Sequence, residues 1–155
     1  MMHGPRIVLT QGVKQYRETV PELVRGTDSV LEVGCGTGKT TKIISAHAGF
    51  VLAIDHSVRV YEARHHGLTN ARIERWNAWD VPRIRSVATR FDLIYVDISG
   101  CCPPEILMRL VRCYEGAFEP AVIVVKNTRL KRFVAQCDVG GISSRHDEHT
   151  RKPTS

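Results

Sequence analysis

Three alternating glycines, Gly34, Gly36 and Gly38 in "VLEVGCGTGKTT" (30–41), follow an apolar run and precede a helix-like stretch, so they can serve one of several chemistries. Glycine lets a backbone turn sharply and approach a ligand with no Cβ in the way. A phosphate loop needs Gly-x-x-x-x-Gly-Lys-Thr, so that backbone N–H groups wrap a phosphate. Gly38-Lys39-Thr40 meets the end of that pattern, but Val33 stands where its first glycine belongs and Gly34 leaves the loop one residue short. "LIYVD" (93–97) has the form of the apolar strand whose Asp holds magnesium in such enzymes, a form common in α/β chains generally. A dinucleotide loop needs Gly-x-Gly-x-x-Gly and fails here at its last position. The third option is an acidic residue, Glu32, before Gly-x-Gly-x-Gly, with the next helix offering free N–H groups and the positive end of its dipole to a ligand carboxylate. Asp55, closing "VLAIDHS", can accept both hydroxyls of a ribose. Asp97 in "YVDISG" and Lys126 in "VIVVKNTRL" close two further apolar runs, and Lys14 lies ahead of the glycine loop.

These residues need a scaffold that gathers strand ends. The apolar runs "SVLEV" (29–33), "FVLAI" (50–54), "ARIERW" (71–76), "FDLIYV" (91–96) and "AVIVV" (121–125) are rich in Val and Ile and are bounded by Gly, Asp, Asn or Pro, which marks buried strands. The last two are continuous rather than alternating, as expected where both faces of a parallel sheet are covered. Helices are expected over Gly38 to Ala48, over Ser57 to His66 with Ser57 as cap, and over Pro103 to Ala117, where Ile106, Leu107, Leu110, Val111 and Tyr114 share a face. Thr10 to Arg25 also reads as helical, with Pro21 bending or dividing it. Alternation of strand and helix implies an α/β fold: a doubly wound, mostly parallel sheet with helices on both faces and right-handed crossovers. Ligands bind such sheets beyond the carboxyl ends of the strands.

"LEVGCGTG" resembles the first motif of class I S-adenosylmethionine-dependent methyltransferases. The resemblance runs in order over about residues 30–126. It implies S-adenosylmethionine as cofactor, held by Glu32, Gly34, Cys35, Gly36, Thr37 and Gly38, with Asp55 and His56 at the ribose. "WNAWDVP" (76–82) is similar to the segment that reads the adenine edge in that family; Asn77 and Ala78 align best, Asp80 is an alternative, and Trp79 either stacks on the base or caps the core. Asp97 would also touch the cofactor. On this reading Lys39, Thr40 and Thr41 are the first turn of a helix. Lys14, Asp97 and Lys126 further resemble three members of the Lys-Asp-Lys-Glu tetrad of FtsJ-like and TlyA-like RNA ribose 2′-O-methyltransferases. Glu148 in "SSRHDEH" (143–149) is a loose fourth, and the usual final strand hairpin is truncated. A ribose hydroxyl is a poor nucleophile near neutral pH, so a lysine able to take its proton has a chemical purpose. The implied activity is methyl transfer, with RNA favoured as acceptor. A small-molecule or protein acceptor, a non-catalytic cofactor-binding partner subunit and a phosphate-loop nucleotidase are the alternatives.

Composition bounds the rest. The 155 residues suit one domain: an N-terminal helical segment (10–28), a cofactor-binding core (29–126) and a basic C-terminal segment (127–155). The net charge is +6, and between Lys126 and Lys152 seven Lys/Arg face three acids, +4 of that total. This segment is a candidate for phosphate contacts with RNA. A chain this short has almost no room for a substrate lid, so a homodimer partner or a large structured substrate would have to supply one. No apolar run reaches the ~20 residues of a membrane span. The first residues lack a signal-peptide core, so a cytoplasmic location is expected. The five cysteines (Cys35, Cys101, Cys102, Cys113 and Cys137) match no zinc spacing and read as free thiols. His65, His66, His146 and His149 suit a helix end and a tail, and no metal is expected.

Overall fold

The computed structural model describes residues 4–98, 102–138 and 140. Among the described residues, six strands alternate with six helices. They are β1 (Arg6–Thr10), α1 (Val13–Leu23), β2 (Ser29–Val33), α2 (Lys39–Ser45), β3 (Phe50–Ile54), α3 (Val60–Arg64), β4 (Ala71–Glu74), α4 (Val81–Arg85), β5 (Leu93–Val96), α5 (Pro104–Phe118), β6 (Val122–Lys126) and α6 (Thr128–Ala135). The sheet runs β1-β6-β5-β2-β3-β4 and every pairing is parallel. From β2 the chain winds outward through β3 and β4, then returns to the other side of β2 with β5. The order reverses between β2 and β5, and the crevice that ligands use in such sheets opens at that reversal.

Side-chain alternation divides the core into two layers. Leu31, Val33, Leu52, Ile54, Ile94 and Val96 face α5, meeting Leu107, Leu110, Tyr114 and Phe118. Val30, Val51, Ala53, Tyr95 and Val124 face the other way, against Tyr16 and Val20 of α1 and Ile44 of α2. Phe91 and Phe118 pack edge to face at 5.3 Å. The Tyr114 hydroxyl donates 2.6 Å to the Ala78 carbonyl, so α5 also anchors the loop after β4.

Several sequence expectations need correcting. The helix does not start at Thr10. Residues Arg6–Thr10 form the edge strand β1, in register with β6 from Arg6↔Val122 to Thr10↔Lys126. Among the described residues the sheet is therefore wholly parallel, and the N-terminal segment supplies the strand beside β6; much of the C-terminal segment, where a truncated hairpin was expected, lies outside the described residues. Three consecutive apolar residues, Ile7 to Leu9, are too short a run to declare a strand from sequence. Pro21 does not divide α1. It sits in the last turn, where few intrahelical bonds remain to lose, and the helix runs through to Leu23. Ser57 does not cap α3, which starts three residues later at Val60 with Arg59 at its cap position; the Ser57 Oγ accepts from Arg59 N at 3.3 Å. Part of the basic C-terminal segment is α6, capped by Asn127 Oδ1, which accepts from Leu130 N at 2.8 Å, and tied to β1 by Lys131 Nζ donating to the Leu9 carbonyl at 3.3 Å. The region of Glu148, His146 and His149 lies outside the described residues, as does Cys101. Among the described residues no helix is long and apolar enough to cross a membrane.

Candidate active site

A cavity of ≈ 390 Å³ opens at the reversal point. Its walls include Gly34, Cys35, Gly36 and Thr37 after β2, Asp55 and His56 after β3, Trp76 and Ala78 after β4, Asp97 after β5, and Arg17 of α1. The glycine loop is shaped by what presses on it. Gly34 has φ +87°, and a Cβ there would lie 1.9 Å from the Asp97 carbonyl oxygen. Gly38 has φ +78°, and its Cβ would lie 2.6 Å from that of Ala63 in α3. Gly36 differs: a Cβ there would meet nothing within 4 Å, because this residue faces the open cavity. Outside the loop, the His66 ring nitrogen Nε2 pairs with the Thr37 carbonyl at 2.9 Å.

Asp55 holds the loop from below. Its Oδ2 accepts from Gly36 N and its Oδ1 from Ser57 N, both at 2.8 Å. Each carboxylate oxygen has a second acceptor direction, so a ribose can still be engaged. His56 is 89% exposed in its side chain and stands 3.7 Å from Asp55 Oδ1.

Asp97 and Lys126 meet for a reason of register. Val96 pairs with Val125, so the next residues of β5 and β6 are neighbours. Both continue the parity of Tyr95 and Val124, and so project to the α1 side. Their ion pair spans 2.8 Å, with side chains 20% and 17% exposed. Beside it, buried Asn127 donates 2.9 Å to the Cys102 carbonyl, pinning the chain ahead of α5.

The structure does not bring every sequence candidate together. Lys14 is 90% exposed and pairs with Glu18 at 3.9 Å. One helical turn on, Arg17 faces the cavity instead, with its Nε donating 2.9 Å to Thr40 Oγ1. Asp80 is spent capping α4, accepting from Arg83 N at 3.3 Å. Asn77 is exposed and accepts from Trp79 N at 2.9 Å, so of that segment only Trp76 and Ala78 line the cavity. Trp79 neither caps the core nor reaches the cavity: it is 45% exposed. Arg17 and Trp76 were missed. The i, i+3 step from Lys14 to Arg17 is the signal that could have found the arginine, since Val20 on the same stripe is core.

Beneath the loop lies a buried polar cluster. Glu32 is 2% exposed, and its Oε2 has no hydrogen-bond partner among the described residues; the same holds for Tyr16 OH and Thr41 Oγ1. Burial pushes the Glu32 carboxyl up to about 7. The Thr41 hydroxyl, close but outside hydrogen-bonding geometry, opposes this, as does Arg17, while Asp97 and Asp55 add to it. Cys35, also buried, is pushed up well above the ordinary thiol range and stays neutral.

A stability prediction follows from Glu32. In the unfolded chain this carboxyl titrates near 4.5; folded, near 7. Between those values the folded chain holds a proton that the unfolded chain has released, so stability falls as pH rises through this window and levels off above it. The full effect is about 3 kcal/mol. Glu32→Gln should match the wild type near pH 4 and exceed it by about 2–3 kcal/mol at pH 8. Urea unfolding of both chains across that range checks this; parallel pH profiles contradict it.

No family model matches the chain, and no curated protein does. Solved structures do. A precorrin 8W decarboxylase from Methanobacterium thermoautotrophicum is 23% identical, with 83% of this chain and 70% of that one covered at a TM-score of 0.61. An rRNA methylase from Streptococcus thermophilus is 11% identical, covering 83% and 81% at 0.57. DhpI, in a complex with SAM and HEP, is 23% identical, covering 83% and 62% at 0.54. A Trypanosoma brucei PRMT1 from an enzyme–prozyme heterotetramer with AdoHcy is 30% identical over 54% of this chain, at a TM-score of 0.46, and the chain spans only 27% of it. The fold is that of the class I S-adenosylmethionine-dependent methyltransferases.

Proposed function

We propose that this chain is an S-adenosylmethionine-dependent methyltransferase whose acceptor is a ribose 2′-hydroxyl of RNA. The observation that carries the reading is the 2.8 Å Asp97–Lys126 pair, whose Asp97 lines a cavity walled also by the glycine loop and Asp55. The fit of the cofactor rests on charge and space. Gly36 leaves open room where a side chain would intrude, and three carboxylates, Glu32, Asp55 and Asp97, cluster around the loop. Val33, standing where a phosphate loop has its first glycine, argues against a phosphate grip. Lys39 opens α2 and also lines the cavity.

Arg17, steadied by Thr40, would hold the cofactor's carboxylate, with the backbone of Gly34 and Gly36 alongside. Asp55 would take the ribose hydroxyls, and Trp76 with Ala78 would flank the base. S-adenosylmethionine supplies an electrophilic methyl group on a sulfonium and leaves as a neutral thioether. The Lys126 ammonium holds Asp97 beside the acceptor hydroxyl, whose proton passes to the Asp97 carboxylate as oxygen bonds to the methyl carbon and the C–S electron pair stays on sulfur. Lys14 has no part in this scheme, because it points to solvent.

The cofactor half is tested at Asp55. Asp55→Ala should weaken S-adenosylhomocysteine binding by about 1.5–3 kcal/mol, through lost charge-assisted hydrogen bonds and a loosened Gly36. Calorimetric titration measures it, and circular dichroism confirms that the variant is folded. Unchanged affinity would remove Asp55 from the ribose role.

A further inference from the structure

The β4 edge of the sheet carries arginines interleaved with aromatic rings, a feature separate from the C-terminal charges. Arg72 lies over one side of the Trp76 ring at 5.3 Å from its centroid, and Arg83 of α4 lies over it at 4.9 Å. Arg72 also pairs with Glu74 at 2.8 Å, and through Glu74 Oε2 the array reaches Arg64 at 3.1 Å, which stacks on Tyr61. Arg75 donates 3.1 Å to the His56 carbonyl. Trp76 and His56 line the cofactor cavity, so the array runs up to its mouth. Trp79 stands at this rim, 45% exposed and held by its own N–H to Asn77.

A core does not need this arrangement. Trp76 is already 7% exposed without Trp79, and among the described residues the Arg72 Nε bond to Glu74 is the only hydrogen bond that the Arg72 and Arg83 guanidinium groups make. Fixed arginine forks suit phosphate oxygens, and an open indole suits an unpaired base.

We propose that the β4–α4 rim, with Trp79 as stacking platform and Arg72, Arg75 and Arg83 as phosphate contacts, is the docking surface for a single-stranded segment of the acceptor RNA. This rests on the RNA reading above and names where that RNA sits. A strand held here passes over the mouth of the cavity toward Asp97 and Lys126. The C-terminal segment becomes an accessory.

The test uses the full chain and a fluorescein-labelled oligouridylate, followed by anisotropy over a range of salt. Trp79→Ala should lower affinity about tenfold while leaving the salt slope unchanged, because stacking releases no counterions. Arg72→Ser with Arg83→Gln should lower affinity by a similar factor and reduce the slope by about 1–2. Trp79→Ala should keep wild-type affinity for S-adenosylhomocysteine, since Trp79 is not a cavity wall. If the wild type binds the oligonucleotide and the variants bind it equally, this surface is wrong and the RNA reading survives. If the wild type binds no RNA even at low salt, both fall.

Discussion

Lys126→Ala should bind S-adenosylhomocysteine as the wild type does and yet transfer methyl groups about 10²–10⁴ times more slowly, the range expected when a proton acceptor, here Asp97, loses the group that positions it. The geometry separates the two effects. Lys126 is not a wall of the cofactor cavity, whereas its partner Asp97 is. Both side chains retain some contact with water, so an unpaired Asp97 costs the fold modestly. Single-turnover transfer to RNA, beside a titration with S-adenosylhomocysteine, checks both halves. A Lys126→Ala chain with full activity would sink the proton-transfer scheme. If cofactor affinity falls in parallel with turnover, Lys126 acts by holding Asp97 for the cofactor.

Gly34→Ala should destabilise the chain by about 3–5 kcal/mol, summing a positive-φ penalty and overpacking against backbone. The atom that a Cβ would strike is the Asp97 carbonyl oxygen, at 1.9 Å. No side-chain rotation relieves such a contact. Gly34 N donates 2.8 Å to the Ile54 carbonyl, and Asp97 N donates 2.8 Å to the Val33 carbonyl, so the strand ends cannot part without losing ladder bonds. Gly36→Ala is the control. It carries a φ of +52° but faces open space, so it should cost only about 1 kcal/mol of stability while cutting cofactor affinity. Thermal and urea unfolding of both variants decides this. Equal stabilities would mean that the loop is not pinned between β3 and β5.

The central strands were readable because their chemistry is redundant. β2, β3, β5 and β6 are each covered on both faces, and their largely apolar, Val- and Ile-rich content leaves little else for them to be. Asp55, Asp97 and Lys126 were readable for a related reason: each closes such a strand, and a parallel sheet delivers all strand ends to one rim. What escaped notice depends on contacts distant in sequence. β1 is an edge strand of five residues whose partner lies more than a hundred positions away. The loss of Lys14 and gain of Arg17 turn on the rotation of α1, which is set by Tyr16 and Val20 packing under the sheet. Asp80 and Asn127 are both helix caps, and a capping carboxylate or amide looks in sequence just like a ligand-binding one. Trp76 and Trp79 are three residues apart; only the turn after β4 decides which one enters the core.

The opening ambiguity of "VGCGTGKTT" is the place to test the whole account. Full-length protein would be titrated calorimetrically with S-adenosylhomocysteine and, in parallel, with Mg-ATP. Binding to the first is expected with a Kd on the order of micromolar, about −8 kcal/mol, and no heat from the second. Binding to Mg-ATP without binding to S-adenosylhomocysteine would contradict it, and would return Gly38, Lys39 and Thr40 to the service of a phosphate.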